Sequence, residues 1–308
     1  MRVSGTMNIV EKLVALIRDT SSSLPSDVLR ALKAAQRREK KGSSAAVVLK
    51  TILDNCAIAA KRGTPLCQDT GTLTFFVDER LRRKVTPAVL KKAVAIATEK
   101  GYLRKNTIDA VTGRSFDDNC AEGAPVVHYV EQGTGNGERG TGKTVTLIMK
   151  GGGSENMSRQ YSLPDAALGA GRDLEGVRKC ILDAVQKIQG YGCAPGILGV
   201  SIGGDRATGY EVAKEQLLRP LDEVEKLRSC EVEKNSASQP LNLSTPQLLN
   251  LEKRLLREAN GLGIGPMGLG GKTTLLGVKI AARPRVPASF FVTVAYMCWA
   301  CRRRSLEV

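Results

Sequence analysis

The strongest constraint on the fold is a change of pattern along the chain, from amphipathic helical segments to short apolar runs between glycine-rich turns. Apolar residues recur at helical spacing over residues 8–19, 26–41 and 45–62, as expected for helices that bury one face. Most of the 32 glycines follow these segments, and they separate β-branched runs that are typical of strands. The sequence therefore predicts a helical N-terminal part followed by strands joined through glycine-rich loops.

The rest of the chain alternates further helices and strands without a regular βαβ rhythm. Additional helices are predicted over residues 87–100, 174–189, 209–218 and 247–260. Strands are predicted over residues 72–77, 125–130, 144–149, 197–202, 274–282 and 289–297. This order of elements favours an α+β or mixed α/β fold.

Two polar segments between these elements are predicted to be loops. The sequence QGTGNGERGTGK joins the strand-like runs 125–130 and 144–149, which indicates a long hairpin loop. Residues 229–246 are polar and contain proline, so this segment, with Cys230 in it, is expected on the surface.

Positive charge exceeds negative charge in the chain as a whole. There are 46 Lys and Arg residues against 31 Asp and Glu, a formal net charge of +15. Most of the basic residues fall on polar helix faces, without the interleaved aromatic residues or motifs that are typical of nucleic-acid binding. A solvated surface is the favoured interpretation, and an anionic substrate or an acidic partner is the alternative. Neither nucleic acid nor a membrane is expected as a partner.

The chain combines eight cysteines with a single histidine, His128. One imidazole excludes a zinc site that needs two histidines of the same chain. The first helix is not preceded by a secretory signal pattern, and the apolar stretch 286–301 is too short to span a bilayer. We therefore expect a cytoplasmic protein, in which cysteines serve as thiols or metal ligands more often than as disulfides. Either Met1 or Met7 can be the start.

Three short motifs suggest chemistry that their surroundings support only weakly. Residues 137–144 match the phosphate-binding pattern G-x-x-x-x-G-K-[ST], but a strand-like run follows them where that pattern needs a helix N-terminus. A nucleotide site there is kept as an alternative to a flexible loop. The stretch that ends in Gly271-Lys272-Thr273 fails the spacing, because Pro266 occupies the position of the first glycine. Cys298-Trp299-Ala300-Cys301 is a single C-x-x-C, for which redox and zinc roles remain alternatives.

The cysteines separate into two groups by their sequence context. Cys56 and Cys180 fall on the apolar stripes of predicted helices, where a small buried side chain is expected. Cys67 and Cys193 lie in turns, and Cys298 ends an apolar run. Turns can expose a thiolate and bring backbone N–H groups near cluster sulfides, so these three could hold three irons of a [4Fe–4S] cluster.

Four motifs in order resemble the class I fumarate hydratase and tartrate dehydratase family, the iron–sulfur hydro-lyases of α type. They are LCQDTG at 66–71, KGGGSEN at 150–156, the glycine-flanked Cys-x-Pro-Gly at 193–196, and GLGIGPMGLGGKTT at 261–274. The resemblance runs from about residue 9 to residue 303. It implies one catalytic domain over residues 1–308, with residues 1–8 and 304–308 as tails.

The resemblance also implies a cofactor and a reaction. A [4Fe–4S] cluster would be held by Cys67, Cys193 and Cys298, with Cys301 as the alternative third ligand. The reaction would be reversible addition of water to a four-carbon dicarboxylate. Fumarate and malate are favoured over L(+)-tartrate as the substrates. The open iron of the cluster would act as a Lewis acid.

Site residues and a partner follow from the same resemblance. The substrate would contact five residues, which are Gln68, Asp69, Arg104, Gly152 and Gly153. The chain ends soon after the third cysteine, and it therefore resembles the α subunit of the two-subunit form. A β subunit would complete the site and supply the general base. The family's longer members carry a histidine before the third cysteine, whereas here Val286 follows Arg285, and His128 is interpreted as structural.

Overall fold

The computed structural model describes residues 8–131, 142–222 and 246–308. These residues form a mixed α+β structure with two four-stranded sheets. The chain divides into two compact units. The first unit draws on residues 1–25, 54–152 and 300–308, and the second on residues 26–53 and 153–299.

The helices and strands follow one another in an irregular order. The helices are α1 (Ile9–Ser22), α2 (Ser26–Arg38), α3 (Ser44–Arg62), α4 (Pro87–Glu99), α5 (Gly152–Asn156), α6 (Leu174–Ile188), α7 (Arg206–Gln216) and α8 (Pro246–Gly261). The strands are β1 (Thr72–Asp78), β2 (Val126–Val130), β3 (Thr144–Lys150), β4 (Arg159–Ser162), β5 (Gly196–Ile202), β6 (Leu275–Ala282), β7 (Phe291–Met297) and β8 (Arg302–Glu307). Within the described residues, no helix is long and apolar enough to cross a membrane.

The first unit is built on a sheet with strand order β2-β1-β3-β8. Strand β1 pairs parallel to β2 and antiparallel to β3, and β8 pairs antiparallel to β3. Helices α1 and α4 pack on this sheet, and their apolar faces bury residues such as Leu13, Ile17 and Leu90 against Phe75 and Leu147. The apolar spacing that predicted these helices from sequence is the spacing that places one face of each in the core.

Two sequence predictions about this sheet are wrong. Strands β2 and β3 do not form a hairpin, because β1 lies between them and pairs with both; residues 132–141 of the connection lie outside the described residues. Residues 304–308 are not a tail, because Arg302–Glu307 form β8 on β3. Both corrections come from long-range strand pairing, which the local pattern of residues does not specify.

The second unit is built on a sheet with strand order β4-β7-β5-β6. Strand β5 pairs parallel to β6 and antiparallel to β7, and all seven of its residues are buried. Leu198 and Val200 face a core shared with α6 and α8, whereas Gly199 faces α7 so closely that any side chain would overlap the Ala213 carbonyl. Helices on both faces explain why every residue of β5 is buried and why nearly all of them are apolar.

Candidate functional site

Cys67 lies in the loop that follows α3, in the first unit. The loop is anchored just before it, because Leu66 donates a backbone hydrogen bond to the Ser21 carbonyl at 2.8 Å and accepts one from Asn55 Nδ2 at 3.0 Å. The thiol is partly exposed, and its Sγ lies 3.7 Å from Gln68 Oε1. The turn predicted from sequence therefore presents the thiol from a fixed backbone.

Asp69 is held by three different groups of the first unit. Its Oδ1 accepts a hydrogen bond from Asn106 Nδ2 at 3.0 Å, and its backbone carbonyl accepts one from the Arg302 guanidinium at 2.8 Å. Its Oδ2 packs on the backbone after β3, where a Cβ on Gly151 would lie 2.8 Å away and one on Gly152 would lie 3.8 Å away. A side chain at position 151 would force the Asp69 carboxylate to move, so glycine at this position permits the close approach.

Arg104 is tied to the same loop through its backbone. Its N–H donates to Thr70 Oγ1 at 2.9 Å, and Thr70 Oγ1 donates back to the Arg104 carbonyl at 2.9 Å. Asn119 Nδ2 donates to that carbonyl as well, also at 2.9 Å. The Arg104 side chain is exposed and its guanidinium has no hydrogen bond or ion pair with the residues that the structure describes. The fold thus brings Asp69, Arg104 and Gly152 together. The Arg104 guanidinium is exposed and can bind an anionic ligand.

Sequence reasoning missed two residues of this cluster, Asn106 and Arg302. Arg302 is only 1% exposed, and its Nε and Nη1 have no hydrogen-bond partner among the described residues. A buried guanidinium is costly without an anion or acceptors around it. The sequence carries no signal for the burial of Arg302, because it opens the run Arg302-Arg303-Arg304, in which solvent-exposed arginines are expected.

The turn that carries Cys193 belongs to the second unit and is held from two sides. Its Ala194 carbonyl accepts a hydrogen bond from the Met267 N–H at 2.9 Å, and the Cys193 carbonyl accepts one from the Trp299 N–H at 3.3 Å. Cys193 is exposed and has a positive φ of 54°. The backbone is therefore bent into a left-handed conformation that non-glycine residues adopt rarely and mainly at functional or tightly constrained positions.

Cys298 follows directly on β7 and lies beside that turn. Its N–H donates to Ser154 Oγ at 3.1 Å, and its side chain packs at the edge of the core of the second unit. Because Trp299 is the next residue and bonds to Cys193, the two cysteine segments are neighbours. The structure thus brings together two of the three cysteines that the sequence singles out.

The phenol ring of Tyr296 lies against both segments. A side chain on Gly192 or Gly196, on either side of Cys193, would overlap the Tyr296 ring. Burial, Cys298 and Cys193 raise the pKa of the Tyr296 hydroxyl well above its ordinary value. This hydroxyl is completely buried and has no hydrogen-bond partner among the described residues.

Cys56, Cys180 and Cys301 are buried, which suits thiols and not ligands. Cys56 and Cys180 are buried on helices as predicted, and burial raises the pKa of their thiols to about 11 and about 12. Cys301 is fully buried, whereas Cys298 is partly exposed. Cys230 lies outside the described residues. Across residues 8–131, 142–222 and 246–308, no three His, Cys, Asp or Glu side chains converge on a single metal ion.

Neither glycine-lysine-threonine stretch is arranged as a phosphate loop in the part of the chain that is described. Thr144 begins strand β3, as the sequence predicts, although residues 137–141 of that motif lie outside the described residues. At the second stretch, the Lys272 N–H donates to both carboxylate oxygens of Glu39, at 2.9 and 3.0 Å. The Lys272 amide is therefore already bonded to a carboxylate of the same chain, in the place where a phosphate loop would bind phosphate.

The sequence of nearly the whole chain matches a single family of proteins. The family described as fumarate hydratase (fumerase) matches residues 10–307. The chain therefore belongs to this fumarate hydratase family, as its sequence motifs predict.

Similar curated proteins carry two kinds of name. A putative class I fumarate hydratase from Geobacillus stearothermophilus is 44% identical over 97% of this chain and 55% of its own length. A putative L(+)-tartrate dehydratase subunit alpha from Methanocaldococcus jannaschii is 31% identical over 96% of both chains. The L(+)-tartrate dehydratase subunit alpha of Escherichia coli K12 is 28% identical over 100% of this chain and 94% of its own length. This chain thus spans about half the length of the first relative and nearly the whole length of the other two.

Proposed function

We propose that the protein is the α-type subunit of a hydro-lyase that adds water reversibly to the double bond of a four-carbon dicarboxylate. Hydration of fumarate to (S)-malate is the preferred reaction, and dehydration of L(+)-tartrate is the alternative. Family membership supports the reaction class, and the relatives' names support both substrates. We infer that residues 1–308 as a whole act as the catalytic domain, in the cytoplasm, where thiols stay reduced.

The observation that carries the proposal is the pair of neighbouring segments with Cys193 and Cys298 beside a buried hydroxyl that lacks a partner. We assign Cys193, Cys298 and Cys67 as the three ligands of a [4Fe–4S] cluster. Accessible thiols on segments held by hydrogen bonds suit a [4Fe–4S] cluster. A buried hydroxyl without a hydrogen-bond partner beside them also suits it, because it can donate to a cluster sulfur. When bound, such a cluster with one open iron supplies a Lewis acid for the hydroxyl and a carboxylate of the substrate.

Cys298 and Cys301 offer a matched test of the third ligand. We expect Cys298→Ser to lose the cluster's visible absorbance and most of its iron, because a serine hydroxyl is a poor substitute for a thiolate at a partly exposed site. Cys301→Ser should retain both, since Cys301 is fully buried. Iron and acid-labile sulfide per chain are the measurements, and retention in Cys298→Ser with loss in Cys301→Ser would reverse the assignment.

We assign Gln68, Asp69, Arg104, Gly152 and Gly153 to the substrate. The contacts of Asp69 with Asn106, Gly151 and Arg302 keep its carboxylate and backbone in place. The Arg104 guanidinium can then bind one carboxylate of the substrate in the bidentate manner that arginine favours. The buried charge of Arg302 adds to a positive local potential, which favours a dianion.

Removal of the Arg104 guanidinium is expected to weaken substrate binding. A charge-assisted hydrogen-bond pair contributes about 1.5–3 kcal/mol, so Arg104→Met should raise KM roughly 10- to 100-fold. Arg104→Lys should recover only part of the loss, because an ammonium cannot bind bidentately. The adjacent exposed cation Lys105, which pairs with Asp117, is the control, and Lys105→Met should change KM less than about twofold. Equal effects of the two methionine variants would contradict the assignment.

We further propose that a β subunit completes the enzyme and supplies the general base. The support is that relatives matched over nearly their whole length are named as alpha subunits. The α chain alone is then inactive, because the proton on the carbon next to the hydroxyl has no acceptor.

The proposed function is tested by anaerobic co-expression with a candidate β subunit from a neighbouring gene. We expect turnover of fumarate, malate or tartrate by the complex and none by the α chain alone, and the ratio of kcat/KM values decides between the substrates. Full turnover by the α chain without a partner would overturn the two-subunit proposal. A wild-type chain that binds nucleotide but no iron after anaerobic purification would overturn the hydro-lyase proposal.

A further inference from the structure

Tyr296 occupies a position that joins the two cysteine segments of the second unit. It is the penultimate residue of β7 and pairs with Leu198 of β5. Its side chain belongs to the core of the second unit, and Cys298 packs against the same core. The absence of side chains at Gly192 and Gly196 leaves room for its ring against the turn that carries Cys193.

The hydroxyl of this tyrosine lacks the partner that a buried hydroxyl normally has. The side chain is 1% exposed, and its oxygen has no hydrogen-bond partner among the described residues. Its backbone N–H is satisfied separately by Ser158 Oγ at 3.3 Å. An unsatisfied buried hydroxyl costs free energy, and tyrosine hydroxyls that are buried usually find an acceptor. A group that binds at this place and accepts a hydrogen bond would satisfy it.

We infer that the Tyr296 hydroxyl donates a hydrogen bond to a sulfur atom of the bound [4Fe–4S] cluster and so positions and tunes it. This inference rests on the proposed cluster at Cys193 and Cys298. Sulfide and thiolate sulfurs carry negative charge and accept hydrogen bonds, and such bonds are among the factors that set cluster potentials. The hydroxyl is a positioning group, and it takes no part in proton transfer to the substrate.

A hydrogen bond to a cluster sulfur has a definite physical consequence. It stabilises the reduced cluster more than the oxidised one, because the reduced state carries more negative charge on its sulfurs. Loss of the bond should therefore shift the reduction potential to more negative values. It should also weaken retention of the cluster, since one contact with it is removed.

The test compares Tyr296→Phe with the wild type and with Tyr161→Phe, all prepared anaerobically with their clusters. Tyr161 lies in the same unit, but its hydroxyl has an internal partner, Asp183 Oδ2 at 2.7 Å. The measurements are iron and sulfide content, the midpoint potential of the cluster, the rate of cluster loss in air, and the thermal unfolding of the cluster-free chains.

We expect Tyr296→Phe to lose its cluster about fivefold faster than the wild type, the factor that corresponds to one ordinary hydrogen bond, with a more negative potential. The cluster-free Tyr296→Phe chain should be at least as stable as the wild type, because the change removes an unsatisfied group. Tyr161→Phe should show the opposite pattern, with lower stability and an unchanged cluster.

Each other outcome counts against the inference. An unchanged potential and rate of loss in Tyr296→Phe would overturn it while leaving the proposed function intact. A Tyr296→Phe chain that unfolds at lower temperature without its cluster, or fails to fold, would show that the hydroxyl has a structural partner. A wild-type chain without iron or sulfide would remove the proposed function itself, and the inference with it.

Discussion

Replacement of Cys193 by serine is expected to abolish the proposed [4Fe–4S] cluster and to lower the proposed hydro-lyase activity by about a thousandfold or more. Lewis-acid activation contributes several kcal/mol to such reactions, and each 1.36 kcal/mol corresponds to a factor of about ten. The exposed thiol of Cys193 lies on a turn held by hydrogen bonds from Met267 and Trp299. Its backbone should keep the same shape in the serine variant, so the loss would come from the sulfur atom.

Cys180→Ser is the matched control for this prediction. Cys180 is fully buried in α6, and burial raises the pKa of its thiol to about 12, so it is not available as a thiolate. The serine hydroxyl can bond to a helix carbonyl one turn earlier, and the fold should persist. Iron, sulfide and turnover are measured in both variants. Loss of iron from Cys180→Ser, or its retention in Cys193→Ser, would contradict the ligand assignment.

Replacement of Gly71 by alanine is expected to destabilise the protein by roughly 3–5 kcal/mol, a cost seen when a core position is overpacked and the backbone strained at once. Gly71 has a φ of +73°, and an added Cβ would overlap the Lys150 carbonyl and lie 2.7 Å from the Gly151 nitrogen. Backbone atoms of the central strand β3 cannot move away cheaply. The distortion would spread to Asp69, two residues earlier, so activity should fall as well.

Gly101→Ala is the control that separates the cost of the left-handed backbone conformation from the cost of steric overlap by the added Cβ. Its φ of +72° is almost the same as that of Gly71, but an added Cβ would meet nothing within 4 Å. Only the left-handed conformation is then penalised, which costs about 1–2 kcal/mol. Thermal unfolding of both cluster-free variants gives the comparison. Equal losses of stability would mean that the approach of Lys150 to Gly71 is not as close as described.

Local patterns predicted most helices and strands to within a few residues, because they depend on which side chains face the core. The apolar stripe of α6, for example, is visible in sequence, and Cys180 is buried on it. The short strand β4 and the arginine-rich β8 were missed. Each pairs with a single neighbour at a sheet edge, where an apolar run is not required.

The candidate site, too, was only partly predictable from the sequence. The turns at Cys67 and Cys193 and the family motifs point, from sequence alone, to the residues that we propose as ligands and substrate contacts. Partners such as Asn106 for Asp69 and Thr70 for Arg104 could not be predicted, because hydrogen bonds between residues 34 or more positions apart depend on the folded backbone. The supposed hairpin failed for the same reason, since β1 takes the place between β2 and β3.

By itself, the sequence determined the family, the α+β class and the residues that carry thiols and charges, because composition and spacing act over short distances along the chain. Only the tertiary structure decided which of them are accessible and which are neighbours. It buries Cys301 but leaves Cys298 partly exposed, and it brings the segment of Cys298 beside that of Cys193. It also leaves Tyr296 with a buried hydroxyl that needs an acceptor. Burial and proximity are set by packing among distant segments, and no local pattern encodes them.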